Sequence, residues 1–330
     1  MKISVCIPTF NQAGYLAKAV DSALAQTSSA LCEVIVSDDA STDDTAQLME
    51  KYEGDSRVRY FRQPVNLGIS GNSTFALKQA CGDLIVRLDS DDCLMPEYAE
   101  ILEKEFLETA ELGVGHVMVR EVDENDNQRR MRTLRRARGF QSGEEALKDA
   151  HMGYKVAANI CMFRRSALVE CGFYREGMNF AEDWDLWARL AEAGWGNYYA
   201  DEVLASYRVW SDSGGYREGR KVSELEGILG VFDLTLQPAY LKRNWDTRCL
   251  VETRKAIACA HARALTLIPQ GSSDYARIVE LLEKLGRSKG LAVRLNLIRF
   301  GMGSLLEFKS RVEIALRDKV KGILFRKQIS

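Results

Sequence analysis

Gly82-Asp83-Leu84-Ile85-Val86-Arg87-Leu88-Asp89-Ser90-Asp91-Asp92 is the stretch that decides the fold. From Asp83 to Leu88 it is a short, mostly β-favouring run behind a glycine, which reads as a buried strand. The strand runs out at Asp89, and Pro96-Glu97-Tyr98 opens a helix. In an open α/β sheet, ligands sit just beyond the carboxyl ends of the strands. Three carboxylates in four residues at such an end repel one another and cost desolvation unless a cation sits among them. Hard oxygen ligands with no His or Cys nearby suit Mg²⁺ or Mn²⁺, which keep some waters and complete their shell from phosphates. The same acids also fit an acidic loop that only caps the next helix, because short acidic motifs recur by chance.

Upstream, the chain alternates strands and helices. Ile3–Ile7 reads as a first strand ended by Pro8-Thr9-Phe10-Asn11, and Tyr15, Ala19, Val20, Ala23 and Leu24 mark one face of a helix. Cys32–Val36 is a second strand running into Ser37-Asp38-Asp39-Ala40-Ser41-Thr42-Asp43-Asp44, where Ser41 or Thr42 is placed to cap the next helix. Val58–Phe61 is a third strand, followed by Pro64-Val65-Asn66-Leu67-Gly68 and a helix over about 71–80. This order predicts an α/β fold, a Rossmann-like and mostly parallel sheet flanked by helices. A Gly-x-Gly-x-x-Gly after strand one is missing, which speaks against a dinucleotide site. Three strand ends, carrying Thr9-Phe10-Asn11, Asp38-Asp39 and Asp89-Ser90-Asp91-Asp92, open on one edge, where a nucleotide fits with its diphosphate at the metal.

The whole chain of 330 residues is 46% hydrophobic and 28% charged with net charge −2, the balance of a soluble globular protein and no global field for nucleic acid or membrane. Eight cysteines without a Cys-x-x-Cys pair read as reduced thiols of a cytosolic protein, with Cys6, Cys81 and Cys161 in apolar surroundings. Only three histidines, none adjacent in sequence, make a Cys/His metal cluster a poor expectation. No signal peptide and no transmembrane helix are expected.

These motifs resemble the inverting family-2 glycosyltransferases with the GT-A fold. Ile7-Pro8-Thr9-Phe10-Asn11, Asp38-Asp39-Ala40-Ser41-Thr42-Asp43, Asn66-Leu67-Gly68, Gly82-Asp83-Leu84-Ile85 and Leu88-Asp89-Ser90-Asp91-Asp92 follow the family's order over roughly the first 210 residues. Phe180-Ala181-Glu182-Asp183-Trp184-Asp185-Leu186 resembles its Glu-Asp-x-Asp-Leu segment, and Leu204–Arg208 its closing strand. The resemblance implies a nucleotide-sugar site of Pro8, Thr9, Phe10, Asn11, Asp38, Asp39, Asn66, Gly68, Asp89 and Ser90. It makes Asp91 the first choice of metal ligand, with Asp89 beside it, and Asp183 the base. Inversion is an in-line displacement, so a carboxylate must take the acceptor proton on the face opposite the leaving nucleotide. Glu182 and Asp185 read instead as helix-terminal or orienting acids, and Trp184 and Trp187 fit a core as well as a sugar-stacking surface. Two departures stand out: Ser73-Thr74 where the family often has Arg-Asn, and Val209-Trp210 where it often has a His that can ligate metal.

The implied donor is a UDP-sugar, with dTDP second, and the implied acceptor a saccharide or lipid-linked sugar. A catalytically weak or inactive assembly subunit of a polysaccharide-synthesis complex is the alternative, and a homo-oligomer stays open. Arginines from Arg129 to Arg138 fit either an acceptor phosphate or a solvated hairpin; no aromatic platform suits nucleic acid. The expected domains are 1–215 for the transferase and 216–330 for a helical region with stripes at 222–241, 247–267, 274–285 and 305–325. From Leu291 onward nine Lys/Arg face three acids among apolar residues, a pattern that fits packing, a partner or an anionic membrane surface. The expected place is the cytoplasm, free or peripheral on the inner membrane face.

Overall fold

The computed structural model describes residues 1–132, 134, 138–153, 160–178, 180–210 and 219–303. Strands β1 (Ile3–Thr9), β2 (Leu31–Asp38), β3 (Val58–Arg62) and β4 (Leu84–Arg87) alternate with helices α1 (Ala13–Leu24), α2 (Thr45–Met49) and α3 (Gly68–Gln79). There follow β5 (Cys93–Leu94), α4 (Tyr98–Glu108), β6 (Leu112–Val122), β7 (Gln128–Arg132), β8 (Gly139–Gln141), α5 (Gly143–Asp149), β9 (Cys161–Arg164), α6 (Arg165–Cys171), α7 (Glu182–Glu192) and β10 (Gly196–Arg208). The sheet order is β3-β2-β1-β4-β9-β6-β10-β5, with β7 on β6 and β8 on β10. β3, β2, β1 and β4 are mutually parallel, as are β6 and β10. β9 runs antiparallel to both β4 and β6 and joins the two parallel blocks.

Strands covered on both faces by helices need near-continuous apolar runs. β1 and β4 meet that need: Ile3, Val5, Ile7, Leu84, Ile85 and Val86 are all fully buried. Leu16, Ala19, Val20 and Ala23 place the apolar stripe of α1 at helical spacing in the same core. Fully burying each aliphatic side chain contributes about 1.5–3 kcal/mol. Gly82 is required where the chain turns into β4, since a Cβ there would lie 2.8 Å from the Ser4 backbone nitrogen.

Several boundaries move from their expected places. The third helix starts at Gly68, earlier than expected, and α4 starts at Tyr98, two residues past Pro96. Ser41 and Thr42 do not cap α2, whose N-cap position is Asp44 with no side-chain cap; just before it, Asp43 Oδ1 accepts the Thr45 N–H at 3.1 Å. Cys6 and Cys161 are buried as expected, but Cys81 is exposed, because it sits on the surface turn between α3 and β4. β9 is described from Cys161, and residues 154–159 before it lie outside the described set.

The chain divides into two compact units, Met1–Gly214 with Gly230–Trp245, and Gly215–Leu229 with Asp246–Ser330. In the first, a π-helical turn over Val231–Leu236 and α9 (Gln237–Lys242) return to the sheet domain, where Phe232 meets Trp184 edge-on at 5.5 Å. α8 (Lys221–Gly230) precedes that turn. In the second unit α10 (Arg248–His261), α11 (Ser273–Gly286) and α12 (Lys289–Arg299) bury Leu250, Ile278, Leu282 and Leu291. The helix expected over 305–325 and most of the basic, membrane-fitting stretch lie outside the described residues. Among those described, no helix is long and apolar enough to cross a membrane.

Candidate active site

The carboxyl ends of β1 and β2 are laced together by backbone groups. Asp39 donates its N–H to Thr9 O at 2.9 Å, and Asn11 donates its own to Ser41 Oγ at 2.9 Å. Asn11 Oδ1 accepts the Thr42 N–H at 2.8 Å. Asn11 and Ala40 both sit in the left-handed region, at φ 52° and 60°. Asp38 is fully buried; Oδ1 accepts the Ser41 N–H at 2.8 Å and Oδ2 the Tyr60 hydroxyl at 2.7 Å. Asp39 accepts from Leu67 N at 2.6 Å and Gly68 N at 3.0 Å, which fixes the Asn66-Leu67-Gly68 turn against β2. Burial pushes the Asp39 carboxyl up in spite of those two hydrogen bonds. Asn72 binds β2 from α3 through the Ser37 carbonyl at 2.8 Å, while Ser73 is buried beside it. Thr9 Oγ1 is buried without a hydrogen-bond partner, and Phe10 stands exposed.

A second group of acids gathers around Arg87. This buried arginine ends β4; Nη2 pairs with Asp89 Oδ1 at 2.9 Å and Nη1 with Asp183 Oδ1 at 2.8 Å. Its guanidinium also lies 5.5 Å from the centre of the Tyr174 ring. Asp183 occupies the first turn of α7, next to the helix N-terminus, where the helix dipole favours a carboxylate. Ala181, with φ 60°, turns the chain into that helix. Burial pushes Asp89 up to about 6; Arg87 opposes the shift, and the charges of Asp91 and Asp183 add to it. Burial, with the charge of Asp183, pushes Glu182 up to about 7. Asp185 is spent on structure, accepting from Arg189 at 2.7 Å, Thr235 Oγ1 at 2.6 Å and Arg175 at 3.3 Å. Trp184 and Trp187 are buried, and the Trp184 indole donates to Ala150 O at 2.7 Å, so both belong to the core.

Asp91 and Asp92 point different ways. Asp92 is buried; Oδ1 accepts the Arg208 N–H at 2.7 Å, Oδ2 has no hydrogen-bond partner, and burial with the charges of Asp91 and Asp89 pushes it well up. Ser90 is buried next to them. Asp91 Oδ2 accepts the indole N–H of Trp210 at 2.8 Å. Trp210 packs edge-on against Tyr15 at 5.3 Å, and the same ring carries the Arg208 guanidinium at 4.3 Å. The residue standing where a histidine was expected thus fixes the orientation of the carboxylate that the sequence marks for metal.

The donor chemistry at this loop fits a hard divalent cation. Asp89 keeps Oδ2 and Asp91 keeps Oδ1 outside the pairings above, and Asp91 raises the proton affinity of Asp89, a repulsion that a cation would relieve. Among the described residues no third Asp, Glu, His or Cys joins them in a tight ligand group, so waters and diphosphate oxygens would complete the shell. On the other flank, Arg130 and Arg132 pair with buried Glu121 at 2.6 and 3.5 Å, and Arg138 with Glu202 at 3.3 Å. β7 is largely exposed, as a solvated hairpin would be; Arg135 and Arg136 lie outside the described residues. Arg87 and Trp210 are the two site residues that sequence reading did not assign.

A mostly parallel sheet, with the antiparallel β9 between its two parallel blocks and acids at its carboxyl edge, defines the GT-A fold. Solved structures agree: S. aureus TarS in complex with UDP-GlcNAc superposes with TM-score 0.65 at 19% identity, covering 92% of this chain and 89% of that one. The mannosyltransferase PcManGT from Pyrobaculum calidifontis, in complex with GDP-Man and Mn²⁺, gives 0.55 at 17% identity over 93% and 86%. At such identities the likeness concerns the fold alone. The sequence model of glycosyl transferase family 2 matches residues 4–172, and the chain belongs to that family. Chondroitin synthase of Pasteurella multocida is 33% identical over 193 residues, 58% of this chain and 19% of that protein. The chain therefore spans about a fifth of that relative's length. A GalNAc(5)-diNAcBac-PP-undecaprenol beta-1,3-glucosyltransferase of Campylobacter jejuni is 28% identical over 211 residues, 63% of this chain and 65% of that one.

Proposed function

We propose that the chain transfers a sugar, with inversion, from a nucleotide-diphospho-sugar to a saccharide or lipid-linked acceptor. UDP is the expected nucleotide and dTDP the second. The observation that carries this reading is the Arg87 bridge. One buried guanidinium holds Asp89, at the diphosphate side, and Asp183, at the helix terminus opposite, each within 2.9 Å. Asp183 then takes the proton of the attacking hydroxyl, its carboxylate oriented by the ion pair with Arg87. Thr9, Asn11, Asp38 and Asp39 shape the nucleoside floor, and Asn66 and Gly68 border it. Asp91 and Asp89 would hold Mg²⁺ or Mn²⁺, whose chemistry is to stabilise the charge growing on the departing diphosphate. Family membership supports the reaction type, the lipid-linked relative supports the acceptor class, and the UDP-GlcNAc and Mn²⁺ complexes of fold neighbours support the donor and cation.

The test is a calorimetric titration of UDP and dTDP into the chain with Mn²⁺ and then with EDTA, comparing wild type with Asp91→Ala. Metal-dependent binding that weakens at least about tenfold in the variant is expected. Binding of neither nucleotide by the wild type would sink the donor site and leave the assembly-subunit reading.

A further inference from the structure

At the amino edge of the sheet, opposite the acids, three strands bring together two thiols that sugar transfer does not use. In the β1–β2 ladder Ile3 pairs with Leu31 and Ser4 with Glu33, so Cys32 is an extra residue in a bulge. The bulge turns Cys32 toward the side that carries Glu33: its Sγ lies 3.9 Å from Ser4 Oγ, and Ser4 Oγ donates to Glu33 Oε1 at 2.6 Å. Cys81, on the turn between α3 and β4, donates its N–H to the same Oε1 at 2.7 Å, and Gly82 donates to Ser4 Oγ at 2.9 Å. The Cys32 and Cys81 sulfurs and a Glu33 oxygen all lie within 4.8 Å of one another. Cys81 is exposed and Cys32 half-buried, so a small oxidant in solution reaches the pair.

We propose that Cys32 and Cys81 form a redox-modification site that closes to a disulfide by exchange with a low-molecular-weight disulfide such as oxidised glutathione. The exposed Cys81 thiolate attacks one glutathione sulfur, forming a mixed disulfide and expelling the other glutathione. Cys32 then attacks the Cys81 sulfur, closing the protein disulfide and expelling the second. Two protein thiols are oxidised, one small disulfide is reduced to two thiols, and the two protein protons end on them. A divalent cation suits the cluster less well. Glu33 Oε2 already pairs with Arg59 at 2.7 Å and Oε1 takes two further donors, whereas disulfide closure needs no vacant oxygen of Glu33.

Glu33 also sets the pace. Burial raises its proton affinity, but hydrogen bonds from Cys81, Ser4 and Arg59 outweigh that and hold it near 2. The resulting carboxylate, accepting a hydrogen bond from the Cys81 thiol, pushes that thiol up to about 11. Only a small fraction is thiolate at neutral pH, so closure is slow there and speeds up as pH rises.

The test treats the full chain with oxidised glutathione at pH 7.5 and 9, quenches with an alkylating agent and maps peptides by mass spectrometry. A Cys32–Cys81 cross-link is expected, forming about 30-fold faster at the higher pH, as thiolate fraction scales, and reversed by dithiothreitol. The closed form should melt several degrees higher. Cys32→Ser should stop at glutathione on Cys81, and Cys81→Ser should leave Cys32 unlinked. Wild type that stops at mixed disulfides, or that links other cysteines instead, overturns the assignment. So does Zn²⁺ that survives dialysis on the reduced wild type and is lost from Cys81→Ser, because the cluster would then be a metal site.

Discussion

Asp38 and Asp39 at the end of β2, and Asp89, Asp91 and Asp92 after β4, leave the same edge of one sheet. The first pair is consumed locally: four donors, three of them backbone N–H groups and one the Tyr60 hydroxyl, fill its oxygens and fasten two loops. In the second group Asp89 and Asp91 each share one oxygen with a side-chain donor and keep the other for something else. Residue type does not separate the two loops. What separates them is whether the turn itself supplies donors, and the β2 loop does so because Ala40 bends through a left-handed conformation that folds Ser41 back over Asp38.

Five substitutions can break or sharpen that contrast. The largest effect belongs to Asp183→Asn: turnover should fall about a thousandfold or more while UDP affinity stays within about twofold, as for loss of a general base. Turnover near wild type, measured with a suitable acceptor, would remove Asp183 from the chemistry. Next, Asp39→Ala strands the Leu67 and Gly68 N–H groups and should cost about 3 kcal/mol in urea unfolding. Asp91→Ala should cost less than about 1 kcal/mol by the same measurement. Equal losses would erase the distinction between the loops.

The third effect is on pH. Glu182 near 7 and Asp89 near 6 hold protons more tightly folded than unfolded, where carboxyls titrate close to 4. The native state therefore binds more protons across that window, and stability without ligand should fall by about 2 kcal/mol as pH rises from about 4.5 to 7, then level off. Glu182→Gln should remove about half of the slope; a stability that climbs through the window in wild type would contradict it. The smallest effect is Ala40→Gly, which relieves a left-handed alanine and should raise stability by about 1 kcal/mol, read as a higher urea midpoint with unchanged slope.

β1 to β4 were legible because both faces of each central strand are covered, and near-continuous apolar runs such as Leu84-Ile85-Val86 have few other uses. The acids were legible as a set. Which of them stays available was not, since that depends on partners remote in sequence: Arg87 meets Asp183, and Asp91 meets Trp210, each about a hundred residues along the chain. An arginine inside a strand reads as an interruption until its two carboxylates are in view. Cys81 was misjudged because its neighbours Ala80 and Ala76 are apolar while the turn lifts it out to solvent.

The antiparallel strand β9 carries a consequence for how the chain comes to be folded. β4 finds one neighbour, β1, within the first ninety residues, but its other edge pairs Leu84 with Arg164 and Arg87 with Cys161. Until that later segment has been synthesised, a strand buried in the finished sheet keeps one row of backbone donors and acceptors open. The centre of the sheet is thus closed by contacts of long sequence separation, which slow folding and leave the nascent amino-terminal half the stretch most exposed to aggregation or chaperone capture.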